Sequence, residues 1–355
     1  MYFGFLTFKM ITLLFCISTT YLLYIILRFF PIYIEKRNII YCMSVCCLLV
    51  LFSSIRGFHV GIDLEYYLPG YRYIGKASWS SMYKIGWEYG YVIYNKILNY
   101  LSTNERMLLA STSFIVIGSY SYYIYKYSQI PWLSFFIFIA MGFYASTFNL
   151  LRQMMAMSII MYSLKYIEKR HFIKYLIGVC CAMLFHVSAI CTLLLYPFMK
   201  VRITCINFIG LTAILFLLFN VFGKYILNFF IANLYTDYTL GQVNVTGINM
   251  LIFLFIVTLA AIVLTDITEN DIHIHMIALA CLLQFLALDF SMMARIVVYF
   301  SVSMMIVIPN TIKEMKVGED VKICIQLGVC LLALLFFLMG ANNASSSKSV
   351  LYEFM

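Results

Sequence analysis

Charge is what this sequence has least of. Only 11% of its 355 residues are Asp, Glu, Lys or Arg, while 64% are hydrophobic and the mean hydropathy is +0.95. Ordinary soluble domains carry roughly a quarter charged residues, so no soluble domain of useful size is expected. The marks of several function classes are missing as well. No G-x-x-x-x-G-K-[ST] loop is present to cradle nucleotide phosphates, and no G-x-S-x-G nucleophile elbow. None of the 11 cysteines forms a C-x-x-C pair; they lie in or beside apolar segments and read as small hydrophobes, which argues against a disulfide framework or a zinc site. The apolar run from Met10 to Phe30 has no A-x-A cleavage site. It is also longer than the roughly 7–15 residues of a signal-peptide core, so it reads as a retained first span.

What is present is a series of apolar runs, near 10–30, 39–55, 106–125, 131–149, 151–167, 172–199, 205–222, 248–265, 273–290, 292–309 and 323–340. A bilayer crossing takes about 20 such residues. Lipid leaves backbone amides without partners, and the short alternating strands of a membrane barrel are absent, so the runs are helices. The expected fold is all-α, a polytopic transmembrane bundle of about 10–11 helices forming one integral membrane domain. No internal repeat is visible, and Ser345 to Ser347 is the only low-complexity tract. The net charge of +9 is spread over short runs such as Glu35-Lys36-Arg37, Glu168-Lys169-Arg170-His171 and Lys313-Glu314-Met315-Lys316. That is the positive-inside pattern, not the clustered face of a nucleic-acid binder.

Two stretches interrupt the runs. Residues 56–101 are rich in Gly, Tyr, Trp and charge and are expected to hold a re-entrant or amphipathic segment; residues 223–247 are polar. With the basic loops in the cytoplasm, both become long extracytoplasmic loops. The alternation then fails once, because the basic Lys200-Val201-Arg202 is separated from the preceding basic loop by one apolar stretch, 172–199. Either two half-helices meet at His186-Val187-Ser188 and return the chain inward, as in transporters, or the assignment errs there.

Ionisable groups in or beside a span cost roughly 2.5 kcal/mol or more and so invite a functional reading. Five stand out: Arg56, Asp63, Arg152, His186 and Arg295. Arg56 opens Arg56-Gly57-Phe58-His59-Val60-Gly61-Ile62-Asp63-Leu64-Glu65-Tyr66-Tyr67, which offers cation, acids and tyrosines to a sugar phosphate; a snorkelling Arg beside belt tyrosines reads equally well. Arg152-Gln153 sits between two spans with almost no loop, and a guanidinium fork fits phosphate oxygens; a charge marking a span end is the plainer reading. His186 is either a hydrogen-bonded core histidine or a general base. Arg295 and Tyr299, four residues apart, share a helical face and suit a second anion, with an ion pair to Asp289 as the competing reading. Asp63-Leu64-Glu65 and His273-Ile274-His275 offer too few ligands for a metal.

These residues resemble, in order from about 50 to 305, the bacterial polysaccharide polymerases of the Wzy class in their EpsG-like branch. The likeness rests on Arg56 with Val60-Gly61-Ile62-Asp63 and Tyr66-Tyr67, on Leu151-Arg152-Gln153 with Ala156, on Leu184-Phe185-His186-Val187-Ser188-Ala189-Ile190, and on Ala294-Arg295 with Tyr299-Phe300. Such loops more usually carry Thr where Ile62 stands. The resemblance implies a glycosyltransferase of the bacterial inner membrane. It would move a growing glycan from undecaprenyl pyrophosphate onto the next lipid-linked repeat unit, as in O-antigen or similar surface polysaccharide. Its implied partners are that donor and acceptor, the bilayer, a chain-length regulator and a flippase; no cofactor, metal or nucleic acid is expected. Arg152 and Arg295 would stabilise the leaving pyrophosphate, with Arg56 as a third cation. His186, or after it Asp63, would be the base, and Tyr66, Tyr67, Gln153 and Tyr299 would orient substrate oxygens. The rivals are a lipid-linked oligosaccharide flippase or other transporter, an O-antigen ligase, and a non-catalytic scaffold.

Overall fold

The computed structural model describes residues 2–61, 63–234, 245–265, 271–289 and 291–342, and among these the chain is helical with no strand. Two long helices come first, α1 (Tyr2–Arg28) and α2 (Ile34–Ile55). A cap follows, made of α3 (Leu64–Lys76), a 3-10 turn (Met82–Ile85) and α4 (Tyr89–Leu101). The chain then runs through α5 (Glu105–Tyr127), α6 (Pro131–Ala140), α7 (Phe143–Asn149), α8 (Leu151–Glu168) and α9 (Phe172–Met183). A 3-10 segment (Val187–Leu194) leads into the short α10 (Leu195–Phe198). The rest is α11 (Cys205–Leu234), α12 (Val245–Leu264), α13 (Ile272–Asp289), α14 (Ser291–Ser301), α15 (Met304–Glu314) and α16 (Glu319–Asn342).

Among the described residues, Ile34–Ile55, Glu105–Tyr127, Gly247–Leu264 and Met293–Glu314 are each long and apolar enough to cross a membrane. The pair α6 and α7, bent by 51°, makes a fifth, and several shorter apolar helices accompany them. The chain is therefore a polytopic helical membrane protein, as its composition requires. The largest contacts within the bundle are those of α2 on α5, α8 on α9, and α13 on α12 and α14. Of the polar stretch 223–247, residues 223–234 continue α11, and 235–244 lie outside the described residues, as does the serine tract at 345–347.

The stretch 172–199 is a helical hairpin. Helix α9 stops at Met183, His186 takes an extended conformation (φ −159°, ψ 122°), and the chain comes back along α9. Tyr175 donates to the Thr192 carbonyl at 2.7 Å, Tyr196 donates to the Arg170 carbonyl at 3.2 Å, and the Phe172 and Tyr196 rings lie 4.7 Å apart. Its two ends consequently share one side of the bundle, where Glu168, Arg170, Lys200 and Arg202 line a common pocket of about 400 Å³. That geometry resolves the failed alternation: the basic loops flanking the hairpin lie together, and His186 lies at its far tip.

The cap has its own apolar core, with Leu64, Tyr67, Leu68, Tyr71 and Ile74 of α3 packed against Met82, Trp87, Tyr91 and Val92 and against the start of α5. Each such side chain contributes roughly 1.5–3 kcal/mol when fully buried. Lys96 fixes the angle between the two cap helices by donating to the carbonyls of Ile74, Gly75 and Ala77, which end α3. A cation at a helix C-terminus satisfies orphan carbonyls and the dipole together. Asn104 then starts α5 by accepting from the Arg106 amide at 2.9 Å.

Candidate active site

The hairpin tip, the first turn of α8 and the entry to α4 meet at one carboxylate, Glu88. Its Oε2 accepts from Arg152 Nη1 at 2.6 Å, and its Oε1 lies 2.8 Å from His186 Nδ1. The Val187 amide also reaches Oε1, at 3.4 Å. All three side chains are mostly buried yet reach solvent, Arg152 being the most open at 25%.

The local sequence explains how they meet. Gly90 lets α4 press on the hairpin break: a Cβ there would lie 2.8 Å from both Cβ and the carbonyl oxygen of Leu184. That same carbonyl accepts from the Tyr91 amide at 3.2 Å. Arg152 reaches the site because α7 ends at Asn149 and α8 begins at Leu151, which leaves the arginine on the first helical turn, where the helix dipole is positive.

Arg152 is held on several sides. Its Nε donates to Tyr67 Oη at 3.4 Å, and its guanidinium carbon lies 5.8 Å from the Tyr67 ring and 5.9 Å from the Trp87 ring. Among the described residues its Nη2 has no hydrogen-bond partner. A clamped guanidinium with one free donor beside a helix N-terminus is a ready anion site.

His186 is oriented in the same way. A carboxylate can only accept, so Nδ1 carries the proton toward Glu88 and the neutral ring leaves Nε2 as an acceptor. Nε2 has no protein partner among the described residues. An imidazole held by a carboxylate at one nitrogen and open at the other has the arrangement of a general base.

The charges in the cap respond to this packing. Burial pushes the Glu88 carboxyl up, but the hydrogen bond from His186 and the charge on Arg152 outweigh it and bring it down from 4.5 to about 2. Asp63 behaves oppositely: burial raises its carboxyl, and the attraction of Arg295 and Arg152 only partly offsets that. Burial likewise raises the Tyr67 phenol, against the opposing charge of Arg152, so it keeps its proton.

The structure thus brings Arg152, His186 and Tyr67 together and sets Asp63 within electrostatic reach of Arg152, Tyr67 and Arg295. Arg295 is exposed, and among the described residues its guanidinium makes no hydrogen bond; the side chain of Asp289, its rival partner, lies outside the described residues. Gln153 and Tyr299, expected to orient substrate oxygens, are buried and pack between elements instead. Gln153 donates to the Arg295 carbonyl at 2.5 Å, and the fully buried Tyr299 lies 3.2 Å from Ser188 on the hairpin. Tyr66 turns away from Tyr67 and is 76% exposed.

Arg56, expected as a third cation for substrate, is instead 0% exposed. It donates to the backbone and side chain of Ser53 and lies over the Phe148 ring at 4.9 Å, which encloses it between α2, α5 and α7 rather than beside Arg152. Glu88 was the residue that sequence reasoning missed. Its signal was an acid set among Trp87, Tyr89, Gly90 and Tyr91 in a membrane protein poor in acids, but the acids weighed in that loop were Asp63 and Glu65.

A larger apolar cavity, of about 680 Å³, lies between α12, α15 and α16 and carries little polar chemistry beyond Asn249 and Thr311. The model of the EpsG family matches residues 39–354, nearly the whole chain. Neither a curated protein nor a solved structure matches.

Proposed function

The chain belongs to the EpsG family, and from that premise we propose that it polymerises oligosaccharide repeat units carried on undecaprenyl pyrophosphate, at the outer face of the bacterial inner membrane. The family supports a membrane glycan polymerase in general. The observation that carries the finer reading is Glu88 held between His186 and Arg152.

The reaction follows from what each group can do. A hydroxyl of the acceptor sugar attacks the anomeric carbon of the donor glycan. The new carbon–oxygen bond forms as the bond to pyrophosphate breaks, the hydroxyl proton passes to His186 Nε2, and the bonding electrons leave with the pyrophosphate. Glu88 holds the imidazole in the tautomer that can take the proton and stabilises the imidazolium that results. Arg152, with its free Nη2 and the N-terminus of α8, meets the charge developing on the phosphate oxygens. Arg295 supplies a second cation, with Asp63 near it, and the protonated Tyr67 can donate to a phosphate or sugar oxygen.

A transporter of lipid-linked oligosaccharide is the second reading, favoured by the broken hairpin and the bent α6–α7 pair, since transporters place polar groups at such breaks. It needs cations for its substrate but no imidazole oriented by a carboxylate.

The test is to delete the gene in its host and resolve the surface polysaccharide on a gel, with complementation by wild type and by Arg152→Ala, His186→Ala and Glu88→Gln. Core bearing a single repeat unit, with no ladder and no rescue by the variants, is the expected result. Loss of every repeat unit from the core would indicate the transporter or a ligase, and an unchanged ladder would refute the polymerase.

A further inference from the structure

Beside the candidate active site the cap carries a second concavity, of about 460 Å³, between α3 and the 3-10 turn. Its walls include Glu65, Tyr66, Gly70, Tyr73, Lys84 and Trp87. Pockets that hold small organic ligands run from roughly 300 to 1,000 Å³.

The lining follows from helical spacing. Tyr66, Gly70 and Tyr73 recur at i, i+4 and i+7 and so share one face of α3, while Leu64, Tyr67, Leu68, Tyr71 and Ile74 turn into the cap core. Tyr66 and Tyr73 remain 76% and 41% exposed. Trp87 closes the groove against Gly70, where a Cβ would lie only 2.0 Å from the indole. The same indole is one of the two rings beneath Arg152, and the next residue is Glu88. One side chain therefore belongs both to this groove and to the catalytic cluster.

We propose that the groove is a saccharide subsite, holding a sugar of the glycan next to the sugar that reacts. The proposal rests on the polymerase reading and names where its substrate extends. A pyranose presents apolar C–H faces, which suit the exposed rings of Tyr66 and Tyr73 with the edge of the buried Trp87 at the base, and a rim of hydroxyls, which suit the Glu65 carboxylate and the Lys84 ammonium. A bilayer anchor presents a broad apolar face to the headgroups; Pro69 and Ile85 would serve that too, but the acid Glu65 and the amine Lys84 beside them favour a ligand with hydroxyls.

Binding separates this proposal from the catalytic one, because it needs neither pyrophosphate nor turnover. The probe is the phosphate-free repeat-unit oligosaccharide released from the host's own polymer, titrated calorimetrically against the full chain in lipid nanodiscs. The expected result is saturable binding, weakened at least tenfold by Tyr66→Ala with Tyr73→Ala, weakened less by Lys84→Ala, and recovered when position 66 is Tyr66→Trp. The Lys84→Ala variant keeps the test open should the double variant fail to fold. No binding by the wild type, or equal binding by all variants, overturns the subsite while leaving the polymer ladder to judge the polymerase. Quenching of a Tyr66→Trp fluorophore by brominated lipid, without response to the oligosaccharide, also overturns it and makes the α3 face a membrane anchor.

Discussion

Arg56 and Arg152 look alike in the sequence, each a cation at the edge of an apolar run, and the fold gives them opposite tasks. Around Arg56 the α2–α5 contact is closed: the guanidinium donates to Ser53, lies over the Phe148 ring and is shut off from solvent, and Ser53 and Ser113 lie 2.7 Å apart beside it. Around Arg152 the packing is deliberately one-sided. Tyr67, Trp87 and Glu88 hold the guanidinium, and its Nη2 remains open. A charge sealed inside a helix contact acts on that contact; one that is clamped where solvent still reaches it is preorganised for a ligand. The difference comes from the cap, which supplies partners to α8 from a chain segment some sixty residues earlier, and not from the residue type.

The comparison breaks most visibly if the open cluster is truncated. Arg152→Ala should lower the glycan-transfer rate about 10²–10³-fold, and His186→Ala about 10²–10⁴-fold, in each case beyond any loss of folded protein; rates per folded molecule in nanodiscs check this. Arg152→Lys should recover little, because a single ammonium nitrogen lacks the planar fork that reaches Glu88, Tyr67 and an outward-lying oxygen at once. Glu88→Gln should lose roughly 10–100-fold, the scale on which orienting partners act. Gly90→Ala should lose about tenfold, because the new methyl displaces Leu184 and with it the hairpin tip. At Arg56 the signature inverts. Arg56→Ala should leave the rate per folded molecule near wild type and reduce stability by about 1.5–3 kcal/mol, the worth of hydrogen bonds to a charged group, read as a lower melting temperature in detergent.

The smallest expected effect is on pH. The Glu88 carboxyl is depressed from 4.5 to about 2 in the folded state. Its contribution to stability is therefore present above 4.5 and is lost as the pH falls toward about 2. Melting temperatures of the wild type should fall across that window, and those of Glu88→Gln should fall less.

The helical membrane architecture was legible because apolar length and scarce charge leave a chain no other fold. The hairpin was legible as one of two alternatives, since Lys200 and Arg202 could not otherwise share a side with Arg170. The identities of Arg152 and His186 as outliers were legible from the insertion penalty of a charge or imidazole at depth. Glu88 was not, because an acid in a polar loop carries no such penalty; only the Tyr91–Leu184 hydrogen bond and the close approach at Gly90 make it part of the site. Arg56 shows the converse, since hydropathy flags a cation without telling a sealed one from an open one.

The measurement that meets the central claim most directly is glycan transfer from a lipid-pyrophosphate donor by purified protein, with wild type, Glu88→Gln, His186→Ala and Arg56→Ala compared at equal folded concentration. The account predicts that Glu88→Gln and His186→Ala lose turnover per folded molecule at temperatures well below their melting transitions, and that Arg56→Ala loses melting temperature while keeping turnover. Full turnover in His186→Ala, or loss of turnover confined to Arg56→Ala, would contradict it.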